Sequence, residues 1–295
     1  MFSILVICAA SAFQVARNAA QRGLMGEAGP WGATLVRFLF GFPFAVLFAV
    51  LAWSFTPHGG LRPTGAFWGV AVTGAVSQVL ATAALLSAMK RSGFAVGTAW
   101  QQSSMPMTAV LGWLAFGDAL SPVAWIGVAV TTLGLAALAV PDALKDDRGH
   151  RLAGAVFGLL SGLFFGYSLN AYRHANLILS PGAPLLGATA TVAITQGCQS
   201  LALAAILAWR QPAALRAVIA GWRGSLMAGF CGASASACWL LALGLAPAAT
   251  VRAVGVIEAP MAALAGRRLF SEKLSLAQWI AGAATAAGVA MTALG

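Results

Sequence analysis

Charge is scarce in this chain. Seventeen Lys and Arg and seven Asp and Glu make up only 8% of its 295 residues, against about 25% for a soluble globular domain. Tyrosine is nearly absent, with two residues, and there are three histidines. The four cysteines, Cys8, Cys198, Cys231 and Cys238, stand inside apolar runs without CxxC spacing. They read as small packing residues, not as a disulfide framework or a metal site. No HExxH, GxSxG or GxxxxGK[ST] segment occurs in the chain. The usual signatures of a metalloprotease, a serine hydrolase and a P-loop ATPase are therefore missing, and no cofactor is expected. The basic excess, a formal net charge of +10, is scattered between apolar stretches, which does not suit nucleic acid.

What remains is hydrophobic: 60% apolar residues and a mean hydropathy of +0.86. A bilayer core needs about 20 apolar residues per helix. Glycine, proline and charge punctuate the chain into ten such stretches, at 2–21, 31–55, 66–89, 94–115, 122–140, 152–174, 184–208, 222–245, 247–268 and 275–294. The class expected is an all-α polytopic membrane protein. The opening MFSILVICAA imitates a signal peptide but lacks a basic n-region and is read as the first span.

The most polar connection, PDALKDDRGHR at 141–151, falls near the midpoint. Sliding the two sides past each other reveals a gap-free offset of 154 residues. It superposes Trp68 on Trp222, Pro106 on Pro260, Met107 on Met261, Gly112 on Gly266, Asp118 on Glu272, Leu120 on Leu274, Ser121 on Ser275, Trp125 on Trp279 and Gly134 on Gly288. The expected organisation is a five-helix repeat over 1–140, the connection, and a second five-helix repeat over 152–295. Five is odd, so the second copy must thread the membrane in the opposite sense. Two inverted repeats around a site near the midplane are the architecture of secondary transporters.

Three stretches carry a resemblance: RFLFGFPFAVL from Arg37, SSMPMTAVLGWLAFGDALS with Pro106 and Asp118, and IEAPMAALAGRRLFSEKLS with Pro260 and Glu272. Over nearly its whole length the chain resembles the drug/metabolite transporter superfamily, in its ten-helix EamA-like branch. Asp118 stands where that pattern usually has glutamate, and Ser271 where it commonly has glycine. The resemblance implies a bacterial inner-membrane carrier, monomeric or homodimeric. It would move small organic metabolites, commonly amino acids, outward. Uptake of a nucleoside, an amine or a cofactor precursor is the alternative reading, and a channel a weaker one.

Polar residues inside the spans are the candidate substrate-binding positions, because an ionised side chain at mid-membrane costs about 2.5–3.5 kcal/mol on insertion scales. Gln14, Arg17, Asn18 and Gln21 form one stripe of the first span. Arg17 is a candidate for a carboxylate, or alternatively snorkels to the interface. Gln78 lies in the third span. Trp100 and Gln101 open the fourth. Tyr167 and Asn170 share a face of the sixth with His174, which is read as a solvated residue. Trp239 lies late in the eighth span, and Arg252 and Glu258 lie in the ninth. Trp100 and Trp239 read as an aromatic wall or as interface anchors. Glu258, two residues before Pro260, is the candidate for a substrate amine or a coupling proton. Arg37 is read as interfacial or structural. Asp118 and Glu272 are read as helix caps, and the ladder Gly154, Gly158, Gly162 and Gly166 as a packing surface.

Twelve of the seventeen basic residues fall in odd-numbered connections: Arg22, Lys90, Arg91, Lys145, Arg148, Arg151, Arg210, Arg216, Arg223, Arg267, Arg268 and Lys273. Only Arg62 and Arg173 fall in even-numbered ones. The positive-inside rule then makes the odd connections cytoplasmic and both termini external, although relatives are expected to keep both termini inside. A reporter fused to the C-terminus is accordingly expected to be active only in a form that folds outside the cytoplasm. Activity of a cytoplasm-specific reporter at that position would reverse the assignment.

Overall fold

The computed structural model describes residues 2–56, 60–116, 121–139, 148–245, 251, 255, 257–271 and 275–294. Thirteen helices are present among them, and no strand: α1 (Phe2–Gly23), α2 (Met25–Leu39), α3 (Phe42–Ser54), α4 (Gly65–Ser92), α5 (Phe94–Gln101), α6 (Ser104–Phe116), α7 (Pro122–Ala139), α8 (Arg148–Leu179), α9 (Pro184–Arg210), α10 (Pro212–Ala220), α11 (Trp222–Leu245), α12 (Glu258–Phe270) and α13 (Leu276–Leu294). Five stretches are long and apolar enough to cross a membrane: Ala28–Ser54, Gly65–Ser92, Leu152–Leu179, Pro184–Arg210 and Trp222–Leu245. Trp125–Gly134 and Leu276–Met291 are shorter apolar helices. The chain is a multi-pass membrane protein.

Two of the expected spans are interrupted, and proline explains where. The span over 31–55 divides into α2 and α3 at Phe40–Gly41, just before Pro43. The span over 94–115 divides into α5 and α6 at Gln102–Ser103. Pro106 has no N–H with which to reach the Gln102 carbonyl, so a regular helical bond is impossible there. Shorter bonds carry the chain across: Gln102 N–H donates to Ala99 O at 3.0 Å, Ser103 N–H to Trp100 O at 3.1 Å, and Met105 N–H to Gln102 O at 3.0 Å. A further kink in α2 is set by Gly29, whose φ of 64° lies in the left-handed region beside Pro30.

The chain separates into two compact units that draw on both sequence halves: Met1–Val79 with Ser168–Pro247, and Leu80–Tyr167 with Ala248–Gly295. In the first unit α1 packs along α11, α3 along α9, and α2 against α9, α10 and α11. Phe13, Phe44 and Phe48 surround Phe230 edge-on, with ring centroids 5.8, 5.3 and 6.4 Å away. In the second unit α7 packs along α13 and α5 against α12. The glycine ladder of α8 lies there against the α4–α6 stretch. Gly154 abuts Ser92, Gly158 abuts Trp100, Gly162 abuts Ser103 and Gly166 abuts Thr108, a spacing only small residues allow.

The offset of 154 residues recurs in helix boundaries. α6 and α12 begin and end 154 residues apart, as do the starts of α7 and α13. Contacts recur as well: Gly134 lies against Thr285 and Gly288 against Thr131, so each threonine of the α7–α13 pair fills the notch beside its counterpart's glycine. α13 opens on a reciprocal cap, in which Ser275 N–H donates to Gln278 Oε1 at 2.9 Å and Gln278 N–H to Ser275 Oγ at 3.2 Å, the capping-box arrangement. Asp118 and Glu272, expected as caps, lie outside the described residues, as does most of the 141–151 connection.

α12 ends on Ser271, whose φ of 54° and ψ of 29° are left-handed and whose N–H donates to Gly266 O. Among the described residues no other non-glycine has positive φ. A side chain in that region costs about 1–2 kcal/mol, which explains why glycine suits this position and why Gly117 stands 154 residues earlier. Ser271→Gly is expected to raise stability by about 0.5–1 kcal/mol and Ser271→Val to lower it, read as melting temperature in detergent. An unchanged or lowered value for the glycine variant would contradict the assignment.

Candidate functional site

Surface and interior are inverted relative to a soluble protein. Leu201 and Phe55 are 77% and 79% exposed, whereas Arg17, Asn18, Gln21 and Arg37 are buried. These polar residues belong to the first unit, where they form a layer contributed by α1, α2, α4, α8, α9 and α11.

The stripe expected on α1 faces inward. Arg17 donates to Asn18 Oδ1 from Nε at 3.1 Å and from Nη2 at 2.6 Å. Gln21 Nε2 donates to Ala33 O at 2.7 Å, tying α1 to α2. Gln14 Oε1 accepts from Trp239 Nε1 at 2.9 Å, tying α1 to α11. Trp239 is buried, so it does not anchor an interface. Arg17, 1% exposed, does not snorkel.

Arg37, read as interfacial or structural, is not interfacial. It is 2% exposed, in the last turn of α2, directly before the break at Phe40–Gly41 that bisects the Ala28–Ser54 stretch. The carbonyl end of a helix favours a cation. Arg37 Nη2 donates to Ser236 Oγ of α11 at 3.2 Å, and its guanidinium lies 5.1 Å from the Phe38 ring centroid. The signal available in sequence was its distance from the nearest proline, Pro43, not its distance from the expected span start.

A second cluster completes the layer. Tyr172 O–H donates to Gln78 Oε1 at 3.2 Å, and Gln199 Nε2 donates to Ala75 O at 2.9 Å, Gln78 Oε1 at 3.0 Å and the Tyr172 hydroxyl at 3.2 Å. Gln196, one turn earlier on α9, is buried, and neither of its amide atoms has a hydrogen-bond partner among the described residues. A Cβ placed at Gly41 would meet Gln196 Oε1 at 2.9 Å, so this amide stands at the α2–α3 break. Tyr172, Gln196 and Gln199 were not among the expected site residues. The signal was present: Thr191, Thr195 and Gln199, with Gln196 and Ser200, recur at helical spacing on α9, as Ser168, Tyr172 and Asn176 do on α8. Asn170 is buried, and its carbonyl lies 2.9 Å from His174 Nδ1.

The remaining candidates fall in the second unit. Trp100 and Gln101 are buried at the end of α5, against the glycine ladder in the case of Trp100, which also removes the anchor reading for that tryptophan. Tyr167 is half-buried. Glu258, 1% exposed, is the first residue of α12, where the positive end of the helix dipole favours a carboxylate. Arg252 lies outside the described residues. Within this unit a cavity of about 540 Å³ is bounded by Trp100, Ser103, Pro106, Met107, Leu111 and Leu163, among others. Its wall is almost wholly hydrocarbon and suits an apolar group, not a charged one.

Loss of the Trp239 indole N–H removes one donor from the buried Gln14 Oε1. Comparison of Trp239→Phe, Gln14→Leu and the double variant by melting temperature is expected to give a coupling of about 0.6–1.7 kcal/mol, the range of interhelical bonds in membrane proteins. Strictly additive effects would show that the bond does not hold α1 to α11.

The EamA-like transporter family matches residues 1–140. No curated protein matches the chain. Sixteen solved chains do; one, titled only as a crystal structure of a protein, is 17% identical, covers 99% of this chain and 96% of its own length, and superposes with a TM-score of 0.58. At that identity the likeness speaks for the fold alone. This multi-pass helical chain with an inward-facing polar layer is thus similar, over its first 140 residues, to the EamA-like transporter family.

Proposed function

We propose that this protein is a secondary transporter of a small organic metabolite of the amino-acid type, that it works by alternating access between two inverted five-helix repeats, and that it acts outward. The observation that carries the reading is the buried polar layer of the first unit. Two arginines, Gln14, Gln78, Gln196, Gln199, Tyr172 and Trp239 are buried in a chain whose exterior is hydrocarbon. Packing alone does not demand such groups, which cost free energy in a membrane and concentrate where a solute or ion must be met.

Interrupted helices support the same reading. Carriers build their sites where a transmembrane helix breaks and exposes its terminal carbonyls or N–H groups. Here the breaks at Phe40–Gly41 and Gln102–Ser103, and the start of α12 at Glu258, each place a polar side chain at a helix end. Parity of the five-span repeat supplies the inverted threading, and the shared boundaries of α6 and α12 agree with the repeat. The basic residues of the odd-numbered connections put those connections in the cytoplasm of a bacterial inner-membrane protein.

Glu258 is assigned the coupling role: it exchanges a proton or holds the solute's amine. Purified protein in liposomes, offered amino acids, nucleosides and amines, is expected to show saturable flux with counterflow for the first class. Non-saturating flux without counterflow would favour a channel. Glu258→Gln is expected to reach the membrane normally while flattening the pH dependence of flux between about pH 5 and about pH 8. An unaltered profile would remove Glu258 from the coupling step.

A further inference from the structure

The apolar cavity of about 540 Å³ lies wholly within the second unit, between α6, α7 and the ladder stretch of α8. On α6, Met107, Val110, Leu111 and Leu114 recur at three- and four-residue spacing and make one apolar stripe along it. α7 supplies Val128 and, one turn on, Thr132, whose hydroxyl donates to its own helix at Val128 O, 2.8 Å away. α8 supplies Leu159 and Leu163, each directly after a glycine of the ladder that seats the α5–α6 stretch. The floor is the α5–α6 break, where Trp100, Ser103 and Pro106 are buried. The side is open, since Leu114 and Thr132 are exposed. Beyond Leu114 the two helices meet at Trp113 and Trp125, both exposed and packed edge-on with ring centroids 5.5 Å apart.

We propose that this cavity holds an acyl chain of a membrane phospholipid, which lies along the α6 stripe where a neighbouring helix would otherwise pack. Exposed tryptophans favour the membrane interface, so the Trp113–Trp125 pair sets the headgroup level and the cavity runs inward from it. From Ser104 to Leu114 α6 rises about 15 Å. That is half of a hydrocarbon core of about 30 Å, the depth that the chains of one leaflet fill. A solute of the amino-acid type does not suit the cavity, because it carries two charges and no lining residue among those described is charged. Nor does water, since apolar cavities of about 150 Å³ already stay dry and admit apolar molecules. A tail that enters from the bilayer gains no hydrophobic energy, because it leaves one hydrocarbon for another. It gains the dispersion contacts that an empty cavity forfeits. The assignment requires only that the chain spans a bilayer, and it stands apart from the transporter reading above.

The test places the full chain in vesicles of dioleoyl phosphatidylcholine and, separately, of its acyl-brominated analogue, whose bromine quenches nearby indole fluorescence. The chain has ten tryptophans, so the emission of Trp100 is taken as the difference between the chain and Trp100→Phe. That emission is expected to be lost in the brominated vesicles. The emission of Trp239, buried in the first unit and obtained in the same way from Trp239→Phe, is expected to be retained. Retention of the Trp100 emission would overturn the proposal. Val110→Phe fills the cavity and is expected to protect Trp100 from the bromolipid, with Leu111→Phe as the second filling variant where the first does not elute as monodisperse protein. Undiminished quenching in a folded filling variant would show that lipid reaches Trp100 by another route, and would overturn the proposal equally. Phenylalanine added to the vesicles is expected to leave the quenching unchanged. Saturable relief of the quenching by phenylalanine would give the cavity to a solute instead of a lipid.

Discussion

Hydrocarbon cannot accept or donate a hydrogen bond, and this constraint organises the structure. Every peptide group in a span must find its partner within the chain, so the described residues are helices wherever they lie in long apolar stretches. The same constraint turns side chains inside out. Leu201, Phe55 and many other apolar side chains face outward, and Gln14, Arg17, Asn18, Gln21 and Arg37 face the interior. In water those side chains would line the surface and have no architectural consequence. Here they bind α1 to α2 and α11, and α9 to α4 and α8, through the bonds of Gln21, Trp239 and Gln199.

That inversion makes proline informative. In a soluble helix an interior proline is mostly a defect, but within a span it frees a carbonyl that something in the protein must then satisfy. Pro43 and Pro106 set breaks in two expected spans, and Arg37, Trp100 and Gln101 stand at the ends of the helices that precede those breaks. Ser271 shows the converse, a left-handed turn enforced by the close of α12 on a residue poorly suited to it. A fold that must reverse direction at a fixed length of helix accepts that local cost.

Much of this was legible in the residues. The apolar stretches gave the helices, the stripe of Gln14, Arg17, Asn18 and Gln21 gave an inward face of α1 that the structure places in the interior, and the glycine ladder of α8 gave a close packing surface. The family resemblance was legible too, and residues 1–140 bear it out. Arg37 was not, for a physical reason. Its depth was measured from a span start at residue 31, but α2 begins at Met25, so a residue that reads as a turn and a half from the interface lies at the middle of the stretch. The tryptophans misled in the same direction: indole prefers the interface, and only a specific acceptor, Gln14, or a glycine bed, Gly158, draws it inside. Tyr172, Gln196 and Gln199 were legible in principle, since Ser168, Tyr172 and Asn176 on α8 and Thr195, Gln196, Gln199 and Ser200 on α9 recur at helical spacing, but threonine and serine also return their hydroxyls to their own helix and so weaken the stripe as a signal.

Electrostatics adds what hydropathy cannot. A scale of insertion costs treats each arginine separately and gives a penalty for each. Two whose stems approach one glycine of α11 form a pair that a single-residue scale does not describe. The fold keeps this arrangement through Gly232, which admits both stems, and through the carbonyl end of α2, whose partial negative charge offsets some of the cost at Arg37. The interior that admits these groups follows from the same exclusion of water that dictates the helices.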